Sequence, residues 1–499
     1  MGKSLDKWQF GDFQTPKKLA VDVLNVLKDN HQLIPDCIIE PSCGEGVFLE
    51  AAIREYANAR ILGVEINPDY SAKALEWIKH SENIEVKCSD FFEMDWSKVL
   101  NDYSGKILFT GNPPWVTASE LAVLNSRNVP KKNNFQKKKG IEAITGSSNF
   151  DISEWMLREY VNWIENREGY IGILCKTSVA RKVFRHVAAT GSKDYECHIY
   201  SIDAQKQFSA SVDACFFVML PSSRGSSCFV YDTLDAKKSK NCIGVRYGEL
   251  VNDTVAFDKW HNLRGQDSCF VWRSGVKHDC SKVMELSHSN DGLQNGLGEQ
   301  VDIESSYVYP LLKSSDVANG RIYRARKSVV VTQSYVGEPT SQIAVRAPKT
   351  WYYLNSYKER LDNRASSIYK GKPKFSVFGI GEYSFSDWKI AISGMYKKLE
   401  FQLISPILGQ PVMVDDTVYF LPLASQKQAE FVYDLLCSKP ASEFLSSLIF
   451  WDEKRPITTR VLRQLNIRAL AKVNGVIDYY DSLLYEADTK SSQLTLAIG

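Results

Sequence analysis

Residues Ile38–Phe48 read IIEPSCGEGVF, and the fold is decided there. An apolar run enters a turn carrying Gly44 and Gly46, and a helix-patterned segment follows from Val47. The two glycines let the backbone turn sharply and approach a ligand closely. One strand further on, ILGVEI places Glu65 21 residues past Gly44, with Ile66 beside it. A carboxylate at that strand end suits the two hydroxyls of a ribose. A third strand ends at Ser89-Asp90-Phe91, where the Asp can accept from an adenine amino group and the aromatic can cover the ring. The dinucleotide fingerprint GxGxxG is absent, and Glu40-Pro41 stand before the turn. A carboxylate there repels a pyrophosphate and suits a cation. S-adenosylmethionine fits, having an ammonium, a sulfonium, a ribose and an adenine but no phosphate. The competing reading is a plain βα turn; three strand-end features in order favour the nucleoside site.

A fourth strand, KILFTG, delivers Asn112-Pro113-Pro114-Trp115. Two prolines after a strand fix the backbone and leave nearby carbonyls without competing local bonds. One reading is a rigid turn with a buried Trp. The chemical reading starts from an exocyclic base amine, whose lone pair is delocalised into the ring. Acceptors that bond both N–H groups draw the nitrogen toward a tetrahedral shape and stabilise the positive charge that develops on methyl arrival. The Asn112 side-chain oxygen and the Pro113 carbonyl are such acceptors, and Trp115 offers a flat face for the base.

Outward from these motifs, short apolar strands alternate with helical segments through the first 220 residues or so. Strands are expected at 37–40, 61–66, 84–88, 107–110, 170–175, 198–202 and 214–220, and helices at 16–28, 47–56, 68–79, 153–166 and 178–188. The pattern predicts an α/β, Rossmann-like sheet with helices on both faces. An insert at about Ala118–Ser148 interrupts it, with NVPKKNNFQKKKG inside, read either as a solvated loop or as a segment that closes over a polyanion. The small polar stretch PSSRGSS (Pro221–Ser227) is expected to divide a catalytic domain, 1–222, from a mixed α/β recognition domain, 223–499. Within the latter, Arg321–Lys374 holds twelve Lys or Arg against three acids, interleaved with aromatics such as Trp351 and Tyr369. A positive face is expected there.

The whole chain of 499 residues is nearly neutral, with 61 Lys plus Arg against 59 Asp plus Glu, so neither a polycation nor an acidic disordered tail is present. No apolar run approaches a membrane span, and the N-terminus carries neither a signal segment nor a myristoylation pattern. The eleven cysteines are scattered without a CxxC, and no HExxH pairs the seven histidines. These features predict free thiols, a cytoplasmic protein and no metal.

In order, these motifs resemble the amino-group DNA methyltransferases of the gamma arrangement, with cofactor motifs first and target recognition last. Asp12-Phe13-Gln14-Thr15-Pro16 is similar to the motif that packs on the methionine end of the cofactor. EPSCGEG resembles the main cofactor motif, GVEIN the ribose motif, CSDFF the adenine motif, and NPPW the aromatic-ended catalytic motif usual for N6-adenine methylation. The resemblance implies cofactor contacts from Thr15, Glu40, Pro41, Cys43, Gly44, Gly46, Glu65, Ile66, Asp90, Phe91 and Asn112. Asn149–Ile152, LCKTSVARKVF (174–184) and FSASVDACFF (208–217) resemble later motifs, the last implying that Phe208 stacks on the base with Trp115. Weaker likenesses to target-recognition regions occur at YPLLKSSD, SSIYKGKPKFSVFGIG and QPVMVDDTVYFLP.

A stand-alone type II modification methylase is the expectation, since no long helical region of a type I subunit and no nuclease domain precede the first motif. It would act as a monomer on a flipped adenine in double-stranded DNA, with a separate restriction endonuclease as a possible partner. Lys370, Lys372 and Lys374 would contact phosphates. The alternatives are N4-cytosine methylation, methylation of RNA or of a protein glutamine, and a non-catalytic DNA-binding subunit that keeps the fold. Intact Asn112, Glu65 and Asp90 argue against the last.

Overall fold

The computed structural model describes residues 14–78, 82–116, 151–289 and 292–484. The insert, Asp12-Phe13 and Asn149-Phe150 lie outside them. The chain divides into two compact units, Met1–Val255 and Ala256–Gly499.

The first unit opens with α1 (Lys17–Asn25), β1 (Cys37–Glu40), α2 (Val47–Glu55), β2 (Arg60–Glu65), α3 (Pro68–Ile78), β3 (Ile84–Cys88), α4 (Trp96–Asn101) and β4 (Ile107–Gly111). From residue 151 it continues with α5 (Ile152–Glu165), β5 (Gly169–Lys176), α6 (Thr177–Thr190), β6 (Tyr195–Ile202), α7 (Ala204–Phe208) and β7 (Ala214–Pro221). These seven strands lie in the order β3-β2-β1-β4-β5-β7-β6. The five from β3 to β5 are parallel, and β7 runs antiparallel between β5 and β6. β1 and β4 are buried on both faces, as central parallel strands are, and β1 is apolar up to Glu40.

Successive side chains point to opposite faces. Leu108 joins α1 and α2 in one core with Leu174, Phe216 and Val218. Its neighbour Phe109 stacks on Tyr160 of α5 on the other side, with centroids 5.1 Å apart at 8°. All seven expected strands form, with ends shifted by a few residues.

Pro221–Ser227 is a turn within the sheet. The next strand, β8 (Ser227–Tyr231), pairs in parallel with β6 in the register Cys197↔Cys228. It carries β9 (Asn241–Arg246) and β10 (Glu249–Val251) with it, so the compact unit runs past residue 222 to Val255.

The second unit holds a four-stranded and a six-stranded sheet. Its basic segment is partly neutralised by ion pairs. Arg321 and Arg326 pair with Asp316, Lys327 with Glu285 and Lys349 with Asp302. Arg364 turns inward to the carbonyls of His278 and Ser376 and lies over Tyr369. Lys370, Lys372 and Lys374 are exposed, in a turn that follows the short 3-10 helix Ser367–Tyr369. Among the described residues no helix is long and apolar enough to cross a membrane.

Gly46 shows what the glycine turn requires. It caps α2 at φ +86°, and a Cβ there would sit 3.0 Å from Ala74 Cβ on α3. Gly46→Ala should therefore cost about 1–3 kcal/mol from backbone strain plus contact. A urea midpoint equal to wild type would refute this packing role.

Candidate active site

Strand register assembles the site. β1 lies between β4 and β2, pairing Ile39 with both Phe109 and Leu62. The ends of β4, β1, β2 and β3 thus line up as Gly111-Asn112, Glu40, Glu65 and Ser89. The strand order reverses between β1 and β4, the switch point where open α/β sheets bind ligands. A cavity of about 940 Å³, open mouth included, lies over these ends.

Thr15, Glu40, Pro41, Cys43 and Gly44 line this cavity from the first motifs. Glu65, Ile66, Phe91, Asn112 and Pro114 line it from the later ones. Gly46, Asp90, Pro113, Trp115 and Phe208 are not among the lining residues. Gly46 lies beneath α3, as above. Asp90 Oδ1 accepts from the Phe92 N–H at 2.8 Å in the turn after β3.

Sequence reading missed Gln14, Asn67, Tyr70, Phe92 and Met156, which also line the cavity. Tyr70 had a signal. Asn67-Pro68 is a helix start, Asn67 Oδ1 accepts from the Asp69 N–H at 2.9 Å, and Tyr70 follows in the first turn.

Two carboxylates dominate the electrostatics. Glu65 accepts from the Gly44 N–H through Oε2 and from the Asn67 N–H through Oε1, each at 2.8 Å. It thereby ties the glycine turn to the start of α3. Carboxylate oxygens have further lone pairs, so hydroxyls can still be accepted. Glu40 is only 2% exposed, and its Oε2 is buried without a hydrogen-bond partner. Burial pushes its carboxyl well above the usual carboxylate range, and repulsion from Glu65 adds to this. Its Oε1 and Cγ lie 3.0 Å from where a Cβ would stand on Gly111, which adopts φ +128°. A cationic ligand would offset the cost of burying this acid beside a second one.

The tetrapeptide is held from two sides. Asn112 Nδ2 donates to Thr15 Oγ1 at 3.3 Å, linking it to the segment before α1. Lys176, at the end of β5, donates to the Trp115 carbonyl at 2.9 Å and to Asp151 Oδ2 at 2.6 Å. Asp151 in turn caps α5 through the Ser153 N–H, and the Ile152 N–H donates to the Val116 carbonyl at 2.9 Å. Trp115 is buried with its ring edge-on to Phe208, centroids 5.0 Å apart at 70°. The two predicted stacking rings therefore meet, although neither lines the cavity. Among the described residues no group of three or more His, Cys, Asp or Glu is placed to hold a metal ion.

The strand order, the inserted antiparallel β7 and the acid-lined cavity over the switch point define a Rossmann-like methyltransferase. No family model matches the chain. Over 472 residues it is 45% identical to Type II methyltransferase M.NspV of Nostoc sp., a match covering 94% of this chain and 98% of that protein. The chain belongs to the type II methyltransferases of restriction–modification systems. It is also 34% identical over 107 residues to Type II methyltransferase M.CvrRI of Paramecium bursaria Chlorella virus XZ-6E, spanning 21% of this chain and 25% of that one. Among solved structures, the Type IIL restriction-modification enzyme MmeI in complex with DNA shares the fold at TM-score 0.51 and 13% identity. That match covers 93% of this chain, which spans 65% of MmeI.

Two outcomes follow from this geometry. The raised Glu40 value means that, from about pH 4.5 upward, the folded state keeps a proton the unfolded state has released. Glu40 therefore lowers stability as pH rises from there toward its folded value. Ligand-free Glu40→Gln should melt higher than wild type at pH 7.5, with the gap closing toward pH 4; equal melting at both would refute the buried acid. Lys176→Met leaves Asp151 without its cation and should cost on the order of 3 kcal/mol. Lys176→Arg should restore most of that stability in urea melts.

Proposed function

We propose that this methyltransferase transfers a methyl group from S-adenosylmethionine to N6 of an adenine flipped out of duplex DNA. The observation that carries the reading is Glu40, a buried acid with an unmet acceptor, in one cavity with Asn112 and Pro114. Its acid chemistry fits a ligand carrying an ammonium, and the cavity adds Glu65 for a diol and Phe91 and Phe92 for an aromatic ring. When bound there, the cofactor supplies a methyl already activated on a sulfonium. The DNA-bound relative MmeI and the type II relatives support DNA as substrate.

In this reading Asn112 and the Pro113 carbonyl accept the two N–H groups of the target amine and stabilise its developing charge. Thr15 holds the Asn112 amide nitrogen, which fixes where the side-chain oxygen points. Lys176 fixes the carbonyl end of the same tetrapeptide. Much of the rate then comes from positioning rather than from an added nucleophile. The proton lost from the amine leaves to solvent.

A base stacked between two rings needs about 7 Å between them, two contacts of about 3.5 Å. Trp115 and Phe208 are closer than that, so base entry separates them. In this reading the shift falls on Phe208, which ends the short α7 before Ser209 at φ +55° and the exposed 211–213, whereas the Trp115 backbone is held by Lys176.

The test is transfer of labelled methyl from S-adenosylmethionine to unmethylated genomic DNA, followed by nucleoside analysis. N6-methyladenine in DNA is expected. Label at cytosine N4, or in RNA or protein only, would overturn the target. Asn112→Ala should lower turnover at least 100-fold while leaving duplex binding within a few-fold. Full activity in that variant would remove Asn112 from the chemistry.

A further inference from the structure

In the second unit, Val330 ends a strand and the chain then turns through Ser334-Tyr335-Val336-Gly337-Glu338. The turn is built to hold its shape. Glu338 N–H donates to the Tyr335 carbonyl, and Gly337 takes φ +94°, the position where such a turn needs glycine. The Glu338 carboxylate accepts from Ser334 Oγ at 2.8 Å, and Gln333 Nε2 donates to the Glu338 carbonyl at 2.6 Å. What this turn presents is apolar: Tyr335 is 55% exposed and Val336 44%. A rigid turn with an aromatic and a β-branched residue at its tip gains nothing from water.

The same turn is fastened to the lysine segment. Thr332 Oγ1 donates to the Phe375 carbonyl at 2.8 Å, and Thr340 Oγ1 to the Lys374 carbonyl at 2.6 Å. Gln333 Oε1 accepts from the Val377 N–H at 3.0 Å. All three polar side chains are buried. Tyr335 and Val336 are therefore held in one body with the exposed Lys370, Lys372 and Lys374.

We propose that this body is the duplex-reading element of the protein: the lysines seat on phosphates, and Tyr335 and Val336 enter the groove and contact base edges. Charge complementarity selects the partner, since three exposed cations beside a small apolar tip match a polyanion with apolar edges in its grooves. The division of labour follows from chemistry. Lysine–phosphate contacts position without reading sequence, whereas an apolar tip meets features such as the thymine methyl group, and a tyrosine hydroxyl can bond a base edge. The inference rests on duplex DNA being the substrate.

The experiment uses the full-length protein and two duplexes, one with the site mapped from wild-type methylation of genomic DNA and one with a single base pair of it changed. Tyr335→Ser and Val336→Ser should each reduce the ratio of methylation rates between the two duplexes by about 5–100-fold. Their melting temperatures and the salt dependence of binding should stay unchanged. The triple variant Lys370→Gln, Lys372→Gln, Lys374→Gln should weaken binding to both duplexes alike. It should also flatten the slope of log affinity against log salt by about 3. If wild type methylates DNA but neither tip variant moves the ratio beyond twofold, or the triple variant keeps the wild-type slope, the surface is wrong. If wild type neither binds nor methylates duplex DNA, the reading beneath it fails, and this surface falls with it.

Discussion

The register of β1 between β4 and β2 is the constraint from which the rest of the site follows. Parallel pairing brings Glu40 beside Gly111, whose missing Cβ leaves room for the carboxylate, and sets Glu65 one strand further along the same edge. A one-residue slip would turn each of these side chains to the opposite face. The register is secured because β1 and β4 are buried on both sides, with Ile38 and Leu108 in the α1/α2 core and Phe109 against α5. Hydrophobic packing thereby fixes the position of a charge that packing alone would exclude. Glu40 persists in a place unfavourable to it because the sheet is stable enough to keep it there.

What could be read in the sequence was local. A strand end, a glycine turn and a helix start leave signals within a dozen residues, so Glu40, Gly44, Glu65 and Asn112 stood out and line one cavity. What could not be read depended on distant partners. Gly46 looks like a ligand-facing glycine until Ala74 is seen against it. Asp90 reads as an acceptor at a strand end, but it does not line the cavity, and its Oδ1 accepts the Phe92 N–H. PSSRGSS reads as a boundary between domains, and the pairing of β8 with β6 makes it a turn inside the sheet.

The basic segment teaches the same point about charge. Counted within 321–374 it has a large excess of cations, but Asp316, Glu285 and Asp302 neutralise several of them from earlier in the chain. Glu285 is a buried hub. Burial alone would raise its pKa, yet hydrogen bonds from His278, Lys313 and Lys327 outweigh that and hold it well below the ordinary range. Arg324, Arg346, Lys358 and Arg360 stay exposed, as do Lys370, Lys372 and Lys374, and the last three sit next to the fastened turn.

Lys176 has a consequence for how the site is held together. Its ammonium touches the Trp115 carbonyl and Asp151, and the Ile152 N–H reaches the Val116 carbonyl, so the end of the tetrapeptide and the start of α5 are fastened to each other and to β5. One side chain thus serves two masters: the turn after β4 and the cap of α5 share a single cation. Neither can shift along β5 without pulling the other, and a disturbance that begins in the helix arrives at the tetrapeptide through one ammonium group.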